Sequence, residues 1–596
     1  MDKQQAKLCV KKTFENPFDK ESFLFFIKNL LKEIEEKTFI YSGVYIPDAF
    51  SEHINSLERI GKFYDINGHE IDILIVKLKK ETTLEKARTL QRNFIRWYLN
   101  GSRRGKLKDA ALVAFVAPSY EDWRFSLVKM DYKFDENGKI KEELTPARRW
   151  SFLVGKNEKS HTAQSRFVPL LERDDKPTLQ DLEEAFSIET ISDEFFRKYR
   201  DLFIKLKVEL DKILEKDPKV KSEFQEKNIS TVDFAKKLLG QILFLYFLQK
   251  KGWLGVKRNQ AWGSGSKNFI RELFEKKHGD YKNFFNDILE PLFYEALRTD
   301  RSADDHYYSR FDCKIPFLDG GLFDPMNGYD WVNIDINLPD ELFSNNNRTP
   351  EGDIGDGILD IFDRYNFTVK EDEPLEKEVA IDPELLGKTY ERLNAIREDN
   401  FKEYLKSVGD RAKESKFNKE YGVYYTPREI VHYMCQQSLI YYLTNEFEGK
   451  IPKEDIEQFV VYGESIKEND ARVVKVGRET KEYKFKLPEN IRNNAKEIDQ
   501  KLATIIVCDP AVGSGAFLVG MMSEIIKLRD ILSIFIDEPD RTTYRFKREC
   551  IENSLYGVDI DSGAIEIAKL RLWLSLIVDE DDIHNIKPLP NLDYKV

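Results

Sequence analysis

Cysteine is scarce in this chain: Cys9, Cys313, Cys435, Cys508 and Cys550 are scattered through 596 residues. They fall at no paired spacing, which argues against a disulfide framework and against a structural zinc site, and a reducing cytoplasm fits. Long apolar runs are lacking as well. None approaches the roughly 20 residues that cross a bilayer. The opening Met1-Asp2-Lys3-Gln4-Gln5 lacks the apolar centre of a signal peptide. No membrane partner is therefore expected, and the expected location is the cytoplasm. Internal repeats and long low-complexity tracts are missing, and no Pro-Pro pair occurs anywhere.

Positive charge is in deficit overall, at a net −12. For a single domain that would argue against nucleic acid, but whole-chain charge is a poor guide when domains differ. Between Lys77 and Lys108 the balance reverses. Lys77, Lys79, Lys80, Lys86, Arg88, Arg92, Arg96, Arg103, Arg104, Lys106 and Lys108 face only Glu81 and Glu85. Such an excess can follow a phosphate backbone or form a solvated helix face, and both readings stand at this point. Arg148, Arg149 and Arg166 are further candidates for phosphate contact.

Apolar residues make up 41% of the chain and charged residues 34%, enough for full cores in about two to four domains. Residues 1–180 read as one module. Asn67-Gly68 between two apolar runs predicts a hairpin. Leu84 to Leu99 carries helical spacing, and Ala110–Val116 and Trp123–Tyr132 read as strands. This β-β-α-β-β order is the skeleton of nuclease-like or DNA-contacting modules. Residues 181–415 read as a helical connector, with an amphipathic helix over Asp193 to Leu214 and a buried one over Phe234 to Leu248. Residues 416–596 hold the motifs, interrupted by a polar insertion at about 449–500.

The most specific stretch is Val507-Cys508-Asp509-Pro510-Ala511-Val512-Gly513-Ser514-Gly515-Ala516-Phe517-Leu518. Ile505-Ile506-Val507 predicts a buried parallel strand. It runs into a turn with two glycines, and a helix from Ala516 to Leu528 follows. An α/β sheet builds a ligand cradle in this way at the carboxyl end of a strand. Glycine lets the backbone approach the ligand, having no side chain in the way. Upstream, Tyr421-Gly422-Val423-Tyr424-Tyr425-Thr426-Pro427 opens a helix near Arg428, with Thr426 as its cap and Pro427 in its first turn. Downstream, Leu555-Tyr556-Gly557-Val558-Asp559-Ile560-Asp561 precedes a helix over Ala564 to Leu576. A carboxylate at the end of this second strand can accept two ribose hydroxyls. Asp559 is placed for that role, and Asp561 for capping the helix.

At these three points the sequence resembles the N6-adenine DNA methyltransferases, and it looks closest to those of combined restriction–modification proteins of type IIG-like organisation. The segment order is similar to the gamma arrangement of that class. The resemblance is strong over 416–596 and looser over 181–415, where Ile381-Asp382-Pro383-Glu384-Leu385-Leu386-Gly387-Lys388 looks like the family's lead-in helix. It implies an α/β chain made of a nuclease-like module, a helical connector and the first part of a doubly wound, Rossmann-like methyltransferase domain. It implies S-adenosylmethionine as cofactor and double-stranded DNA as partner, in restriction–modification or phage defence. By resemblance the cofactor lies among Tyr424, Thr426, Pro427, Asp509, Pro510, Gly513, Gly515, Phe517, Asp559 and Ile560. Asp509 would accept from its ammonium group, and Ile560 would pack on its adenine.

Two parts of that family's equipment are missing or altered. Its Asn/Asp-Pro-Pro-Tyr/Phe segment holds the adenine amine and stacks on the extruded base. No such segment occurs here, so no catalytic residue is assigned. The expectation is a chain that binds cofactor but transfers no methyl group alone, being either a truncated reading frame or one half of a split enzyme whose second polypeptide supplies the catalytic and target-recognition parts. A non-catalytic DNA-binding or regulatory subunit with a retained methyltransferase fold is the alternative. A methyltransferase for RNA or protein is a third reading, since fold does not fix substrate. A nuclease in the first module would use an acid followed by Glu/Asp-x-Lys to hold a divalent ion such as Mg2+. Asp65, Glu70, Asp72, Lys77 and Lys79 are the candidates, with Asp72 and Lys77 foremost, but Ile75 stands where the second acid belongs.

Overall fold

Two helices open the chain, α1 (Lys3–Phe14) and α2 (Lys20–Leu31). Each starts at an aspartate, Asp2 or Asp19, whose carboxylate accepts the backbone N–H three residues on. The computed structural model describes every residue except 82–83, 85–86, 102–105, 133–145, 319–320, 421–425, 464–486, 581–591 and 593–594.

A mixed sheet follows. Its strands are β1 (Phe39–Ser42), β2 (Ile54–Tyr64), β3 (Glu70–Leu78), β4 (Ala110–Val116), β5 (Asp122–Met130) and β6 (Ala147–Gly155), lying side by side in chain order. The hairpin at Asn67-Gly68 joins β2 and β3 antiparallel. Helix α3 (Arg88–Leu99) carries the chain between β3 and β4, which pair parallel because a crossover helix returns the chain in the same direction. The remaining pairs among these six are antiparallel. Every residue of β4 is buried, as a central strand covered on both faces requires. Along β3, Ile71, Ile73 and Ile75 join the core under α1 and α2, whereas Leu74, Val76 and Leu78 join the core under α3.

The connector adds α4 (His161–Glu172), α5 (Ile188–Lys216) and α6 (Thr231–Lys251). Helix α6 is capped by Ser230, ends on left-handed Gly252 and is buried over most of its circumference. Its core is continuous with the one under α1 and α2. A short segment, β7 (Glu376–Glu378), then returns to the first sheet and pairs parallel with β6 as the seventh strand. Helix α7 (Pro383–Asn394) follows, capped by Asp382.

The last part contains α8 (Arg428–Glu446), α9 (Ala495–Thr504), β8 (Val507–Asp509), α10 (Ala516–Leu532), α11 (Thr543–Asn553), β9 (Leu555–Gly557) and α12 (Ser562–Ile577). Strands β8 and β9 pair parallel, with Val507 opposite Leu555 and Asp509 opposite Gly557. Helix α10 packs on α8, where buried Glu524 binds His432 at 2.9 Å and Lys527 at 2.6 Å. Helix α12 turns Trp573 into the connector core beside Phe244 and Trp253. Two expectations need correction. Ile506 is 63% exposed and Cys508 is exposed, because β8 has one neighbouring strand among the described residues and starts only at Val507. Pro427, not Thr426, is the cap residue of α8, without a side-chain capping bond, and Arg428 is the first helical residue. Among the described residues no helix is long and apolar enough to cross a membrane.

Candidate functional site

The carboxyl ends of β8 and β9 lie side by side, and the two loops leaving them are bonded together. Val512 N–H donates to Val558 O at 3.0 Å, and Val558 N–H to Asp509 O at 2.9 Å. Gly513 and Gly515 have φ of +51° and +82°, values at which a side chain costs about 1–2 kcal/mol. A Cβ on Gly515 would also stand 3.0 Å from the Cβ of Ala568 on α12. The pair thus makes a tight turn, with Gly515 capping α10.

Asp559 reaches across from the second strand. Its Oδ2 accepts Gly513 N–H at 2.8 Å and its Oδ1 accepts Asp561 N–H at 3.0 Å. A carboxylate has about four acceptor sites, so two remain for hydroxyls. Asp561 caps α12 by accepting Ala564 N–H at 3.0 Å, the role its sequence position suggests. Ile560 is fully exposed, at 100%. Asp509 Oδ1 accepts Ala511 N–H at 3.1 Å, and its Oδ2 is buried with no hydrogen-bond partner among the described residues. Pro510 is exposed, and Phe517 is half-buried on the first turn of α10 against the core of this part. Thr426 and Pro427 precede α8, which packs on α10. Tyr424 lies outside the described residues.

Sequence reasoning missed a third layer, supplied by α7 and the segment before it. Ser514 donates through its N–H (2.9 Å) and its hydroxyl (2.6 Å) to Glu391 Oε1 on α7. Ser514 O accepts from Arg571 of α12 at 2.9 Å, and Arg571 is held by both oxygens of Glu371 at 2.8 and 3.0 Å. Next along the chain, Asp372, Asp382 and Glu384 surround Arg428 at the start of α8, with Asp382 at 2.7 Å. Burial disfavours that guanidinium charge, but the carboxylates of Glu384, Asp382 and Asp372 outweigh it and hold its pKa well above the ordinary value. Burial, reinforced by Asp382, pushes the Asp372 carboxyl well up. One strap, residues 371–384, therefore touches both the glycine loop and the entry to α8.

The same strap also reaches the first sheet and the start of α3. Glu376 binds Arg149 Nε at 2.6 Å, and Glu378 binds Arg88 at 2.5 Å and Arg124 at 3.3 Å. Arg88, Arg92, Lys108 and Arg149 are buried, and Arg148 pairs with Asp131 at 2.5 Å. Burial takes Arg88, Arg92, Lys108 and Arg149 away from any phosphate backbone, which corrects the expectation for those four, whereas Lys79, Lys80, Lys106 and Arg148 are exposed. Lys86, Arg103 and Arg104 lie outside the described residues.

Of the nuclease candidates, Glu70 and Asp72 share one face of β3 near Lys62, and Lys77 and Lys79 do not join them. Asp72 is 0% exposed and accepts from Tyr98 and, at 3.4 Å, from Arg59 on the α3 side of β3. Lys77 is an odd number of residues away and so projects from the other face, toward the Tyr120 ring at 5.5 Å. Asp65 ties its own turn to His69 and to Leu179 N–H. Glu70 pairs with Lys62, and Lys79 donates to Ser51 O. Among the described residues no group of three or more His, Cys, Asp or Glu could hold a metal ion. A cleft of about 590 Å³ lies elsewhere, between α4 and α5, and its charged walls pair with each other, as Lys198 does with Glu351 at 2.8 Å.

Residues 485–586 match the family described as MmeI, DNA-methyltransferase domain, a span that contains the glycine loop, Asp559 and α12. Over 386 residues the chain is 30% identical to a predicted type II restriction enzyme and methyltransferase from Methanocaldococcus jannaschii, covering 62% of this chain and 27% of that relative. The chain thus spans about a quarter of the length of the curated relative it matches. No solved structure matches. The chain is similar, then, to methyltransferases of restriction–modification systems.

Proposed function

We propose that this chain provides the cofactor-binding part of an S-adenosylmethionine-dependent N6-adenine DNA methyltransferase in a restriction–modification system. The observation that carries the reading is the bond from Gly513 N–H to Asp559 Oδ2 at 2.8 Å. It fixes a carboxylate at the mouth of a glycine turn between two parallel strands, where a nucleoside's ribose can be gripped. The residues fit such a ligand: two glycines keep the loop clear of side chains, Asp559 retains acceptor capacity, and Asp509 Oδ2 is buried without a partner among the described residues.

In this reading Asp559 takes the ribose hydroxyls, Ile560 covers the adenine, and Asp509 accepts from the charged amino end. Thr426 and Pro427, with Tyr424, close over the methionine portion. The cofactor when bound supplies an electrophilic methyl group. The amine that receives it belongs to a DNA adenine, held by a segment of the Pro-Pro type that these 596 residues do not contain.

The test is a methylation map of the genome that carries the gene. Replacing Asp559 by Ala should abolish N6-methyladenine at one sequence motif. Unchanged adenine methylation, or the loss of a methylated cytosine instead, would contradict the reading.

A further inference from the structure

The connector helix α7 approaches the glycine turn closely. Gly387 permits it: a Cβ there would stand 2.7 Å from Ser514 Oγ and 3.1 Å from an Arg571 guanidinium nitrogen. One helical turn on, and so on the same face, Glu391 delivers its carboxylate to the loop. Glu391 Oε1 takes both donors of Ser514, at 2.9 and 2.6 Å, and lies 2.9 Å from where a Cβ of Gly513 would be. Its other oxygen, Oε2, is buried and has no hydrogen-bond partner among the described residues. A buried, unpartnered carboxylate oxygen is costly, and a cationic donor removes that cost.

We propose that Glu391 is a cofactor-site residue supplied by the connector: Oε1 sets the shape of the glycine turn, and Oε2 accepts a hydrogen bond from the ammonium group of the cofactor's amino-acid end. The inference rests on the cofactor reading above and extends it to a residue outside the matched methyltransferase segment. The two oxygens have separate tasks, so they are separable by chemistry. Glu391→Gln keeps an oxygen for Ser514 and places an amide N–H₂, a donor, where an acceptor is required. Glu391→Ala removes both functions.

Calorimetric titration of the full chain with three ligands tests this. S-adenosylmethionine and S-adenosylhomocysteine both carry the ammonium, and 5′-methylthioadenosine lacks the whole amino-acid end. Glu391→Gln should weaken the first two on the order of ten- to a hundredfold and leave the third within about twofold. Glu391→Ala should weaken all three, because the turn loses its brace. Equal losses for all three ligands in Glu391→Gln would overturn the ammonium role and leave a structural one, and no loss for any ligand would overturn the proposal entirely. Failure of the unmodified chain to bind any of the three would instead remove the cofactor reading on which it rests.

Discussion

At the scale of single residues, the site depends on what Gly387 leaves out, and the connector core on how one buried acid is protonated. Gly387 has ordinary backbone angles, so Gly387→Ala carries no conformational strain. Its methyl group would nevertheless meet Ser514 Oγ at 2.7 Å. Relief requires α7 to back away from the loop, a shift of the kind that costs about 1–3 kcal/mol. Cofactor affinity should fall about tenfold while circular dichroism stays unchanged, and an unaltered affinity would show that the contact does not shape the turn. Glu290 presents a different case. Burial pushes its carboxyl up to about 9, against the opposing hydrogen bond from Tyr329 at 2.5 Å. It stays protonated in the folded protein while the unfolded chain ionises above its ordinary value of 4.5. Its contribution to stability is full below that value and is lost as pH rises toward 9. Glu290→Gln preserves the acceptor and stays neutral, so the variant's thermal midpoint should gain on the parent as pH is raised from about 5 to 8. A gap that does not change with pH would contradict the assigned shift.

At the scale of elements, the strap of residues 371–384, which includes β7, ties the first sheet to the candidate site. Burial draws the Arg149 guanidinium down to about 10, even against Glu376. The Glu378 carboxyl pays a burial penalty of its own, yet Arg124 and Arg88 hold it at about 2. Truncating one member of a buried pair leaves its partner charged and unsolvated, at a cost of about 3–5 kcal/mol. Glu376→Ala should therefore lower stability to chemical denaturation by about that amount, and replacing Glu376 and Arg149 together by apolar residues should recover part of the loss. Additive losses in the double variant would show that the pair is not coupled. These links also mark the limit of what the sequence discloses. The glycine turn, Asp559 and Asp561 are legible because their partners lie within one strand–loop–helix unit, where local spacing is the signal. Glu391 and Ser514 are 123 residues apart, and no periodicity in either segment announces the other. The basic run around α3 misleads in part for the same reason: Arg88 finds its counter-ion in Glu378 of β7, which a window that stops at Lys108 does not contain.

At the scale of the whole molecule, one core runs through α1, α2, the first sheet, the connector and one face of α12, while the other face of α12 closes on the glycine turn through Ala568. The hairpin, the crossover helix and the buried α6 are all anticipated by turn chemistry and apolar spacing. The seventh strand is not, because three residues rich in glutamate carry no strand signature and pair only where Arg149 and Arg124 await them. The candidate pocket is thus assembled from two strand ends and from the connector that locks them. The central claim is that this assembly takes up a sulfonium nucleoside. The most direct measurement is calorimetric titration of the purified chain with S-adenosylmethionine, alongside Asp559→Ala. Saturable one-site binding is expected, weakened about ten- to a hundredfold by the substitution; no heat of binding, or equal affinity in the two proteins, would contradict uptake at this pocket.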